Sequence, residues 1–151
     1  MKWFYVPLTC LFLVSCTSTG LKSPQASVDP IQVETLLKTS TSWDGQDLPP
    51  YPEGIPEVTI LRITVAPGTA LPNHQHPVMN AGVLLKGQIL VKTEHGKSRQ
   101  LNAGDSLSEV VNTWHFGSNN GDIPAEIIVV YAGIKGQPIT VLEEGEAHTH
   151  D

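Results

Sequence analysis

Short apolar runs recur along the chain from Ile31 onward, at Ile31 to Leu37, Val58 to Ala66, Val78 to Leu85, Gln88 to Thr93 and Glu126 to Ala132, each about the length of one β-strand. Between them stand turn-forming pairs: Pro49-Pro50, Glu53-Gly54, Pro67-Gly68, Lys86-Gly87, His95-Gly96, Ala103-Gly104, Asn119-Asn120-Gly121 and Lys135-Gly136. With 13 Gly and 12 Pro there is no room for a long helix. Many β-branched runs at this spacing predict an all-β sandwich or barrel, in which closure of the sheet removes exposed strand edges.

The first residues follow a different pattern. Met1-Lys2 is followed by an apolar run from Trp3 to Val14, too short to span a bilayer but suited to the apolar region of a secretory signal. It ends in Leu13-Val14-Ser15-Cys16, which resembles a bacterial lipoprotein box. That resemblance implies cleavage after Ser15 and lipidation of Cys16. It also implies a lipid anchor in the cell envelope, on the periplasmic face of the outer membrane if the organism is Gram-negative, because Thr17 and not Asp follows.

The resulting organisation is a signal peptide over 1–15, a lipidated cysteine and flexible tether over 16–30, a β-domain over 31–142, and an acidic, histidine-bearing disordered tail over 143–151. Cys10 leaves with the signal and Cys16 is consumed by lipid, so no disulfide staples the domain. A net charge of −6 argues against a phosphate-binding surface and hence against nucleic-acid partners.

The segment from Thr39 to Pro56, with Trp43, Asp44 and Tyr51, is long for a loop. It reads either as a functional loop or as an N-terminal arm packing its aromatics on the barrel or on a second subunit. His95 lies in a Glu-His-Gly turn expected to face solvent, and the His148-Thr149-His150 repeat lies in the tail.

His74 and His76, two apart on an extended segment, face one side and can share a metal ion. His115, in Trp114-His115-Phe116 and placed just before a strand, offers a third imidazole. Together these residues resemble the two cupin motifs. Gly68, His74, His76, Asn80 and Gly87 keep the spacing of the first, while Gly104, His115 and Asn119 keep that of the second. Val110 and Asn112 stand where that family usually has Pro and Gly, and Asn80 where it usually has Glu.

The resemblance implies a double-stranded β-helix, a cupin jelly-roll barrel with an N-terminal extended arm, in which His74, His76 and His115 bind a divalent metal: Fe, Zn, Mn, Ni or Cu. Asn80 and Glu109 are candidates for a fourth ligand or for a hydrogen-bonding role beside the metal; Glu109 is also compatible with a plain surface position. Three neutral imidazoles leave the full charge on the ion and favour anionic small molecules, as in cupin-like three-histidine dioxygenases.

The functional expectation is therefore an envelope lipoprotein that acts on a small molecule as a metal-dependent oxygenase. The alternative is a non-catalytic module that binds a small ligand or metal, and either form can be a homodimer. A barrel that has lost its metal is expected to fill its interior with Met79, Leu84, Leu90 or Phe116.

Overall fold

The computed structural model describes residue 1 and residues 31–143. Cys16, the signal and tether before residue 31, and His148 and His150 lie outside the described residues. The described residues from 34 to 143 belong to one compact unit. No described residue is helical, and none belongs to a helix long and apolar enough to cross a membrane.

Among the described residues nine strands follow in order: β1 (Pro56–Val65), β2 (His74–Gln75), β3 (Met79–Lys86), β4 (Gln88–Thr93), β5 (Ser98–Asn102), β6 (Ser106–Ser108), β7 (His115–Ser118), β8 (Ala125–Ile134) and β9 (Val141–Leu142). All pairings are antiparallel. One sheet has the order β1-β8-β3-β6 and the other β5-β4-β7-β2-β9. Apart from the β4–β5 hairpin, sequence neighbours thus fall in different sheets, the interleaving expected of a double-stranded β-helix.

Period-two alternation sets which side chains enter the space between the sheets. Val65 of β1, Leu84 of β3, Ile127, Val129 and Tyr131 of β8, and Ile89 and Val91 of β4 are all buried in one cluster. Intervening residues such as Val58, Ile60 and Val130 face outward. Of the four side chains expected to fill a metal-free barrel, only Leu84 is fully buried; Met79, Leu90 and Phe116 are partly exposed, so the interior near the histidines is not plugged by them.

Two expectations need correction. Residues 31–37 form no strand, because no neighbouring strand offers a ladder and their apolar side chains Ile31, Val33 and Leu36 remain exposed. His115 does not precede a strand but begins one, β7, paired directly with His74 of β2.

The long segment after residue 38 forms an arm held by local bonds. Thr41 bridges Asp47, Leu48 N–H donates to Ser40 O at 2.9 Å, and the Ser42 hydroxyl donates to Asp44 at 2.6 Å. Trp43 packs against the core and its backbone N–H donates to Ser108 O at 2.9 Å, whereas Tyr51 stays exposed. One of the two aromatics thus follows the arm reading.

Candidate metal centre

β2 and β7 run side by side with His74 opposite His115, and cross-strand neighbours project to the same face. His76 lies beyond the end of β2, yet its ring joins the other two. Ring centroids are 4.4 Å apart for His74–His115, 4.9 Å for His74–His76 and 5.0 Å for His76–His115. One ring nitrogen from each lies within 4.8 Å of the others, so the three could hold a metal ion.

Hydrogen bonds decide which nitrogen each ring offers. Nδ1 of His74 lies 2.7 Å from Pro72 O, Nδ1 of His115 lies 2.8 Å from Thr113 O, and Nδ1 of His76 lies 2.8 Å from Ile139 O. A carbonyl only accepts, so each Nδ1 carries the proton and each Nε2 keeps its lone pair free. Burial reinforces this state. It lowers all three imidazoles below their ordinary range, His76 to about 3, with the neighbouring histidines adding to the shift at His76 and the backbone bonds opposing it. The rings are neutral at pH 7, the form a metal requires.

The shift has a consequence for stability. An unfolded His76 takes up a proton near pH 6.5 that the native ring refuses until about pH 3, so its contribution is full above pH 6.5 and is lost as pH falls through that window. Without metal, the chain is expected to lose about 3 kcal/mol more stability between pH 7 and pH 4 than His76→Gln does. Urea denaturation at the two pH values measures this; equal losses would refute it.

Around the rings lies a cavity of about 70 Å³ between the two sheets, walled by Ile63, Ile89, Val91, Ile127, Val129 and Tyr131. Two polar side chains enter it besides the histidines. Asn80 of β3 is only 5% exposed, and its Nδ2 has no partner among the described residues. A buried amide donor left unpaired costs free energy until something accepts from it, so this N–H group is open to a hydrogen-bond acceptor entering the cavity.

Glu109, just past β6, is buried and not on the surface, with Oε1 3.8 Å from His115 Nε2. Burial pushes its carboxyl up, while the Val110 N–H and the Trp43 indole N–H pull it down. Trp43 is a contact that sequence reasoning placed on the arm but did not connect to the site; its distance of 66 residues from Glu109 left no local signal. Asp44 and Tyr51, two other possible helpers, do not line the cavity. His95 is exposed in its turn, as expected.

Asn112 explains one departure from the second motif. It has φ of 52°, in the left-handed region where Asn is the best-tolerated substitute for Gly, and its N–H donates to His76 O at 2.9 Å.

Residues 61–131 match the family model of the cupin domain. The match supports the cupin superfamily for this region. The chain is similar to solved structures of several lengths. An oxalate oxidase in complex with the substrate analogue glycolate is 29% identical, with 56% of this chain and 45% of that chain covered and a TM-score of 0.50.

An uncharacterized Klebsiella pneumoniae protein with a double-stranded β-helix domain is 22% identical, with 58% and 75% covered and a TM-score of 0.51. The DMSP lyase DddQ from Ruegeria pomeroyi is 24% identical, with 59% and 44% covered and a TM-score of 0.52. These last two show the fold alone. The chain spans less than half the length of the oxalate oxidase. A comparison with curated proteins finds no match.

Proposed function

We propose that the cupin domain binds a divalent metal through Nε2 of His74, His76 and His115 and acts on a small oxygen-donor molecule as a metal-dependent oxygenase. The observation that carries this reading is the trio of Nδ1–carbonyl bonds, which leaves three lone pairs converging in one buried space. When bound, the ion supplies Lewis acidity and, for a redox metal, oxygen chemistry.

The protein's own residues do the rest. The three rings fix the ion's position, the aliphatic walls exclude water, and Asn80 Nδ2 donates to an oxygen of the ligand. A cavity of about 70 Å³ limits that ligand to a few heavy atoms, such as a small carboxylate or enolate. The likeness to an oxalate oxidase with glycolate supports a ligand of this class. Lipidation at Cys16 would place the domain at the cell envelope.

Metal content of the chain purified without chelator or histidine tag, beside a His74→Ala, His76→Ala variant, tests the site. Near-stoichiometric metal that the variant loses is the expected result. A chain that takes up neither iron, zinc nor nickel overturns the reading. Oxygen consumption by the iron-loaded chain with small carboxylates, diketones, thiols and catechols tests the oxygenase step; no consumption with any of them would leave a binding module.

A further inference from the structure

Among the described residues, Glu109 is the one carboxylate in the buried set. Everything that touches it donates or is neutral. The Val110 N–H and the Trp43 indole N–H both donate to Oε1, His115 Nε2 lies at 3.8 Å, and no described lysine or arginine pairs with it. A carboxylate removed from water without a cationic partner is costly, and burial normally selects against it unless a positive charge arrives. The three neutral imidazoles beside it converge on a place for such a charge.

Sheet register explains how Glu109 reaches this place. Ala81 of β3 pairs with Ser108 of β6, and Glu109 N–H donates to Asn80 O at 3.0 Å, so the two strands bring Asn80 and Glu109 side by side. Opposed residues on neighbouring strands project to one face, and both side chains line the histidine cavity. The position on β3 where an acid is expected holds a neutral amide, and an acid stands one strand away.

Resting on the metal-binding reading, we infer that Glu109 supplies the site's carboxylate from the end of β6, in place of one at position 80, and that Trp43 of the arm is the positioning residue that holds it toward the ion. Glu109 Oε1 lies 3.8 Å from His115 Nε2, beside the three ring nitrogens that lie within 4.8 Å of one another and outside their group, so the carboxylate approaches the site from the His115 side. Trp43 sits 66 residues away in sequence, and its backbone N–H is fastened to the O of Ser108, the residue before Glu109. The arm therefore contributes to the site as well as covering the barrel.

Co(II) titration of the full chain, followed by visible absorption, is the test. The wild-type chain is expected to bind Co(II). Glu109→Gln weakens binding by about tenfold to a hundredfold and changes the absorption band. Trp43→Phe, which keeps an aromatic ring but loses the indole donor, changes the band in the same direction with a smaller loss. It adds nothing when combined with Glu109→Gln. Adding Asn80→Glu to Glu109→Gln restores affinity, because the carboxylate returns to the neighbouring strand.

Wild-type affinity and spectrum in both single variants would overturn the inference and leave the three-histidine reading standing. Absence of Co(II) binding by the wild-type chain would instead sink that reading. If circular dichroism shows Glu109→Gln unfolded, Trp43→Phe and the Asn80→Glu restoration decide alone: unchanged binding in the first, or no recovery of fold and binding in the second, counts against the carboxylate's role.

Discussion

Replacement of Asn119 by alanine is expected to lower stability by about 3–5 kcal/mol while leaving metal affinity close to the wild-type value. Asn119 is fully buried, and its side chain satisfies three backbone groups at once. Nδ2 donates to Val65 O at 2.9 Å and to Ile123 O at 2.8 Å, and Oδ1 accepts from Gly121 N–H at 2.9 Å. Its own backbone adds two further bonds, donating to Thr69 O and accepting from Gly68 N–H.

The residue therefore ties the end of β1, the turn leading toward β2 and the loop before β8 to a single point. Alanine would strand the buried Val65 carbonyl at about 1–3 kcal/mol and release the part-buried Ile123 carbonyl and Gly121 amide from their bonds, besides removing a fully buried side chain. Equilibrium urea unfolding checks this, and a loss below about 1 kcal/mol would show that water readily replaces the amide.

The second large effect concerns Gly87, in the turn between β3 and β4. Its φ of +72° lies where side chains are strained, and a Cβ there would come within 2.9 Å of Ala125 Cα and Pro124 O, both backbone atoms that cannot rotate away. Gly87→Ala is expected to cost about 2–4 kcal/mol, combining left-handed strain with overpacking at the start of β8. The comparison that isolates the cause is Gly96→Ala, at a similar φ of +82° but with nothing within 4 Å, which should cost only the strain, about 1–2 kcal/mol. Equal losses in the two variants would remove the steric part of the argument.

Both residues belong to the motifs that first pointed to the fold, and both turn out to hold the fold and not the chemistry. The motif spacing made the barrel legible because a glycine needed for a turn and a histidine needed for a ligand set sit at fixed distances along paired strands. What stayed hidden depended on partners far away. Ser98 to Asn102 has one inward apolar residue, Leu101, and becomes a strand by pairing with β4. Residues 31–37 have more apolar side chains and no partner strand, so the richer local pattern gave no strand.

At the site, the spacing of His74 and His76 correctly placed two imidazoles together, although β2 ends before His76 and strand alternation is not what turns that ring inward. Glu109 could not be assigned to surface or interior because it lies just past a three-residue strand, where period-two alternation gives no continuation. Asn112 read as a departure from its motif, and only its backbone angle shows that it keeps the glycine's conformation.

The three imidazoles differ in where their orientation comes from. His74 and His115 each bond the carbonyl two residues earlier, so these two carry their own alignment in a short stretch of chain. His76 borrows its alignment from Ile139, 63 residues later. Two-thirds of the ligand set can be oriented as soon as β7 pairs with β2, but the third waits until the segment after β8 has docked. An ion meeting the chain before that segment docks would find one histidine still free to turn away.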